Sequence, residues 1–182
     1  INRALAVLGT NVIKNIALSF VIAGDLKSSE ESYFDFDYFW RRSVTNAVAA
    51  ELVFEAIGQR DEDIFVTALL QDIGVLVLYL SQKDGYIEIL KKAVTDEDLC
   101  LMRAERDHYQ FDHQYFGALL LEEWGIPGTI TEPIRYHHEP DRAPEDLLQK
   151  SAILDVANLL SAIYTNRETA QNVRQLQEKL DS

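Results

Sequence analysis

Apolar residues return along this chain at helical rather than strand spacing. Phe36, Phe39, Trp40, Val44, Ala47, Val48, Phe54 and Ile57 recur every three or four positions, which predicts a long helix started by Asp35 or Asp37 and stopped by Gly58. Asp61 to Asp63 are expected to cap the next helix, which leads through Ala68-Leu69-Leu70 to Gln71-Asp72. The run from Val75 to Leu80 has the β-branched content of a strand, and periodicity alone cannot assign so short a segment. No second strand-like segment is there to satisfy its backbone groups, so a buried helix is predicted. Helical patterns continue over Gly85 to Val94 and Asp96 to Asp107. Asp112 is placed to cap a helix that runs to Gly125, a natural residue for a left-handed stop, and Thr129 with Glu132 reads as a capping box for the next one. Pro144 opens a further long helix through Ile153, Val156, Leu159, Leu160 and Ile163.

The chain ends follow the same logic. Ile1 to Ala6 reads as helix, Gly9 breaks it, and Thr10 or Asn11 caps a second helix with Ile13, Ile16, Ala17, Phe20 and Val21 on its apolar face; Asp25 to Glu31 is polar and reads as a loop. From Glu168 to Leu180 only Val173, Leu176 and Leu180 are apolar, a thin packing stripe. With no internal repeat and no low-complexity tract, the expected fold is all-α, one compact multi-helix bundle forming a single domain over residues 1–182.

Composition narrows the function more than the fold. A chain of 182 residues with 47% hydrophobic and 26% charged positions can bury a substantial core. A formal net charge of −13 repels phosphate backbones and anionic lipid, and no basic cluster larger than Arg41-Arg42 offsets it. Neither nucleic acid nor a membrane is therefore expected as partner. No apolar run approaches the roughly 20 residues of a membrane span and the first residues lack the order of a signal peptide, so the cytoplasm is the expected compartment. The single cysteine, Cys100, cannot form an internal disulfide and is expected to be a buried, small apolar residue. Trp40 and Trp124 read as core, and the acidic runs Glu30-Glu31, Asp61-Glu62-Asp63 and Asp96-Glu97-Asp98 as solvated first turns, since they lack the spacing and glycine of a calcium loop.

The chemistry gathers at three of the four histidines. His113 starts the helix capped by Asp112, while His137 and His138 stand at the end of the next; Asp72 is the carboxylate best placed in the sequence to join them. Imidazole nitrogen and carboxylate oxygen are good ligands for zinc, iron, manganese or nickel. His108 has no such company and reads as a solvated residue at a helix end.

The succession Leu8-Gly9, Trp40-Arg41-Arg42-Ser43, Gln71-Asp72-Ile73-Gly74, Asp112-His113 to Pro127, and His137-His138-Glu139-Pro140 resembles the HDOD domain, a bacterial signalling relative of the HD metal-dependent phosphohydrolases. The resemblance implies a helical fold of the HD-domain type and, since the family carries helices ahead of this region, a longer polypeptide of which this chain is one part. It also implies a primary metal site built from a first histidine, a His-Asp pair and a distant aspartate. In this chain Arg42 stands at the position of the first histidine, Gln71 replaces the histidine of the pair and leaves only Asp72, and Asn158 stands for the distant aspartate, with Asp155 one helical turn earlier as a substitute.

A permanent guanidinium charge at Arg42 would repel a cation, and the neutral amides of Gln71 and Asn158 bind borderline metals poorly. Two readings follow. In one, the chain is a non-enzymatic regulatory module without a cofactor, acting through a signalling partner or a small ligand, with Asp72 paired to Arg42 and its histidines hydrogen-bonded in a vestigial site. In the other, Asp72, His113, His137 and His138 hold a single divalent transition metal for phosphoester hydrolysis, with Arg42 clamping a substrate phosphate.

Overall fold

The computed structural model describes residues 34–95 and 100–165. The predictions for the two helices before Val21, the loop from Asp25 to Glu31, Glu30-Glu31, Asp96-Glu97-Asp98 and the stretch from Glu168 to Leu180 fall outside these residues. Among the described residues every element is helical: α1 Phe36–Ala56, α2 Ile64–Leu70, α3 Ile73–Ser81, α4 Lys83–Thr95, α5 Leu101–Tyr109, α6 His113–Glu123, α7 Gly128–Ile134, a 3₁₀ turn Pro140–Arg142, and α8 Glu145–Tyr164. The all-α expectation holds, including the helical assignment of Val75 to Leu80, which lies within α3. The stretch Ile64–Ser81 is long and apolar enough for a membrane span by composition. It is, however, two helices separated at Gln71-Asp72, each with buried residues.

By contact the described residues form two compact units, one containing residues 34–37 and 72–127, the other residues 38–71 and 128–165. The first unit holds α3 to α6. Phe34 stacks on Tyr79 with ring centroids 4.6 Å apart, and Phe36 meets the same ring edge-on. Helices α3 and α6 approach through glycines: a Cβ on Gly74 would lie 2.2 Å from the His113 carbonyl oxygen, so only a residue without one fits. Helix α6 starts as expected, with Asp112 Oδ1 accepting from the Tyr115 amide at 2.9 Å. It also stops as expected. Gly125 has φ +81°, its N–H donates to Glu122 O at 2.8 Å, and the Ile126 N–H reaches back to Leu121 O at 3.0 Å.

The second unit holds most of α1 together with α2, α7 and α8. Its core is Ala47, Ala50, Phe54, Ile64, Ala68, Ile153, Leu154 and Ala157. Gly58, at φ +73°, ends the last turn of α1 in the same way as Gly125 ends α6. Pro133 lies inside α7 and cannot donate to the carbonyl of Thr129 four residues back; Lys150 Nζ takes that oxygen at 2.9 Å and also meets Asp61 Oδ2 at 3.0 Å.

Several local expectations need correction. Of the apolar residues read on α1, Phe36, Phe39, Ala47 and Phe54 are buried, but Val44, Val48 and Ile57 are exposed, and Ser43, Asn46 and Ala50 complete the buried side. Thr129 caps nothing: it lies within α7, and its hydroxyl donates to Asp63 Oδ2 at 2.8 Å. Asp63 precedes α2 without a side-chain cap bond, while Asp61 Oδ1 accepts from the Asp63 amide at 2.8 Å. Cys100 is exposed, because it occupies the extended residue just before α5 rather than the helix's packed side.

Candidate functional site

In the first unit the site is built around His113, the first residue of α6. Its Nδ1 lies 2.6 Å from Glu105 Oε2, and its backbone N–H donates to the same oxygen at 2.9 Å. A carboxylate only accepts, so Nδ1 carries the hydrogen and Nε2 is the atom left for other chemistry. That Nε2 lies 3.8 Å from Asp72 Oδ1, in the residue just before α3. The Tyr86 hydroxyl donates to the other Glu105 oxygen. Burial alone would lower the pKa of His113, but the carboxylates of Glu105, Asp72 and Asp112 outweigh it, and the net shift is upward. Burial, followed by the charge of Glu105, pushes the Tyr86 phenol well above its ordinary range. Asp112 is gripped from the other side by Arg106, whose Nη2 lies 2.6 Å from Oδ2.

In the second unit, His137 and His138 follow α7 in a turn, three and four residues past its last residue, Ile134. His137 is fully buried, with Nδ1 2.7 Å from the Ile134 carbonyl oxygen, so this ring too donates through Nδ1 and presents Nε2. Its centroid is 4.1 Å from that of His138. Arg42 Nη2, on α1, donates to Asn158 Oδ1, on α8, at 2.5 Å across 116 residues of sequence. Ser161 Oγ, one turn after Asn158, bonds the backbone oxygen of Arg42 at 3.3 Å. Asp155 is buried beside Asn158 on the same helix. Gln71 has no exposed surface, and its amide has no hydrogen-bond partner among the described residues.

The structure thus brings Asp72 to His113 in the first unit, and in the second His137 to His138 and Arg42 to Asn158. The residue that sequence reasoning missed is Glu105. No local signal marked it, because the donors it serves lie on α4 and α6. His108 is exposed at the end of α5 and packs edge-on against Tyr109, as expected of a solvated helix-end residue.

The HDOD domain family matches residues 1–140. The chain belongs to the HDOD family. Solved structures agree with the helical HDOD fold. A candidate phosphohydrolase from Shewanella amazonensis SB2B is 20% identical with a TM-score of 0.69, the match covering 98% of this chain and 65% of that one. An HDOD domain protein of unknown function from Geobacter sulfurreducens is 18% identical with a TM-score of 0.67, over 95% of this chain and 63% of the other. The MmoQ response regulator from Methylococcus capsulatus strain Bath is 23% identical with a TM-score of 0.59, over 79% and 58%. The HDOD chain therefore spans less than two thirds of the length of each of these three. No curated protein matches its sequence.

The donor set can be weighed on each unit. An imidazole tethered through Nδ1 to a carboxylate or carbonyl, with Nε2 presented, is the usual orientation of a metal-ligating histidine, and His113 and His137 both have it. Asp72 adds a half-buried carboxylate. In donor type these residues fit a divalent transition ion. Elsewhere in the second unit the guanidinium of Arg42 is bonded to the amide of Asn158.

Proposed function

We propose that this HDOD chain is a bacterial, cytoplasmic signal-transduction module with a degenerate HD metal site, one that regulates by binding a protein partner or a small ligand and does not hydrolyse phosphoesters. The bond from Arg42 to Asn158 carries the reading. It fills two of the primary metal positions with a fixed cation and a neutral amide that satisfy each other, and it opposes a divalent ion by charge. Gln71, a buried amide in place of the third ligand, acts in the same direction. The likeness in fold to a response regulator supports a signalling role. The test is turnover of bis(p-nitrophenyl) phosphate and of cyclic and linear nucleotides by untagged protein loaded in turn with Mn²⁺, Fe²⁺, Ni²⁺ and Zn²⁺. The expected rate equals that of metal alone; turnover that Asp72→Ala abolishes refutes the proposal.

The tethering of His113 and His137 through Nδ1 favours a second reading, in which Asp72, His113, His137 and His138 hold one divalent transition ion. Such an ion would supply Lewis-acid polarisation and a bound water of lowered pKa. Here Asp72 and the three histidines bind, Glu105 and the Ile134 carbonyl orient two of the rings, and Arg42 offers a planar donor fork to an anion. Elemental analysis of untagged protein separates the readings: about one equivalent of metal, lost in His137→Ala, is what the second requires.

A further inference from the structure

Helix α1 exposes Val44, Val48 and Leu52, at 50%, 44% and 59%, although their neighbours Ala47, Ala50 and Phe54 are buried. At roughly 100° per residue, Val44 and Leu52 lie about 40° to either side of Val48, and Arg41 and Glu55 about 20° to either side. One outward face of about four turns therefore reads Arg41, Val44, Val48, Leu52, Glu55, apolar in the middle, with a cation at one end and a carboxylate at the other. The face is its own complement. Turned about a two-fold axis through Val48, it places Val48 against Val48, Val44 against Leu52, and Arg41 against Glu55 of a second copy, twice over, because 41 and 55 are equidistant from 48 as are 44 and 52. Isologous contact requires a surface that matches its own rotated image, and charge placement of this kind fixes register and orientation.

We infer that a second copy of this chain docks on α1, antiparallel and centred on Val48. Helices that meet through rows four residues apart pack ridge into groove. Three apolar residues a side make a contact at the small end of specific interfaces, so the dimer forms reversibly, with a dissociation constant of about 10 µM to 1 mM. Arg42 points about 120° away from Val48 on the same helix, so pairing leaves its bond to Asn158 in place.

Sedimentation equilibrium of the full-length protein from micromolar to millimolar concentration tests the inference. The expected mass climbs towards twice the monomer's. Val48→Glu sets two carboxylates against each other on the axis and yields a monomer whose helical circular dichroism and urea midpoint match the wild type. Arg41→Glu or Glu55→Arg alone weakens pairing about tenfold or more by juxtaposing like charges, and the double swap restores it. Four results would each overturn the inference: a monomer throughout the concentration range; a dimer that survives Val48→Glu; a Val48→Glu protein of lowered stability, which would mean that the face is packed within its own molecule; or a double swap no better than its single components.

Discussion

Replacing Gly74 by alanine puts one methyl group where two helices already touch. The added Cβ would lie 2.2 Å from the His113 carbonyl oxygen, 2.9 Å from its carbon and 3.0 Å from the Gly117 nitrogen. Comfortable separation for such atoms is about 3.5 Å, so α3 and α6 must part by roughly 1 Å, and since the obstacles are backbone atoms no side chain can swing aside. Overpacking of this kind costs about 1–3 kcal/mol and sometimes more, against at most about 1 kcal/mol gained from alanine's better helix propensity. The net loss should be about 2 kcal/mol. Gly117 provides the control on the facing helix: there a Cβ meets Gly74 N at 3.1 Å, Gly74 Cα at 3.4 Å and Ile73 Cγ2 at 3.5 Å, which a few tenths of an ångström would relieve. Gly117→Ala, well inside α6, should stay within about 1 kcal/mol of wild type because propensity and crowding oppose each other. Urea unfolding followed by circular dichroism, with the slope checked for constancy, measures both. A Gly74→Ala protein no less stable than Gly117→Ala would refute the reasoning.

Other perturbations test the network behind His113 and the helix stop. Glu105→Ala removes the acceptor of the His113 backbone N–H, the His113 ring and the Tyr86 hydroxyl, leaving three buried donors at about 1–3 kcal/mol each, so a loss of at least about 3 kcal/mol is expected in urea unfolding. Glu105→Gln, which keeps an acceptor, should lose clearly less. The folded-state pKa of Tyr86 is raised above its unfolded value, so its contribution to stability is complete below about pH 10 and fades as pH climbs towards the folded value. Urea midpoints between pH 9 and 11 should therefore fall less steeply in Tyr86→Phe than in wild type. Gly125→Ala meets no atom within 4 Å but forces a Cβ residue to φ +81°, and should cost about 1–2 kcal/mol in the same assay.

The elements were legible where local chemistry and burial agree. Asp112 and Gly125 mark the ends of α6 because a side-chain oxygen meets free N–H groups at one end and a positive φ must be accommodated at the other. Gly58 is read in the same way. The long helix α1 was legible in extent but only partly in orientation: Val44, Val48 and Ile57 satisfy helical spacing, yet the packed row includes Ser43, Asn46 and Ala50, small or polar residues that a hydrophobicity pattern passes over. Thr129 and Glu132 match a capping box by spacing alone, and a tertiary partner, Asp63, takes the hydroxyl. Glu105 went unread because a carboxylate on a packed side is intelligible only once its three donors, from two other helices, are known.

That contrast bears on how the histidines are interpreted. His113 is held by Glu105 and His137 by the carbonyl of Ile134, each partner within the ring's own unit and each acting through Nδ1. These bonds satisfy buried polar groups whatever happens at Nε2, so folding stability alone suffices to keep them. Well-oriented imidazoles are therefore compatible with a metal without requiring one. The positions that do discriminate are those whose residue type has no other reason to change. In the proposed correspondence, a histidine and an aspartate of HD relatives are matched by Arg42 and Asn158, which form one bond to each other across α1 and α8. An ion at that point would have to displace this part-buried charged hydrogen bond and meet a permanent cation. The Arg42–Asn158 bond, more than the orientation of the histidines, is therefore what separates the proposed regulatory role from hydrolysis.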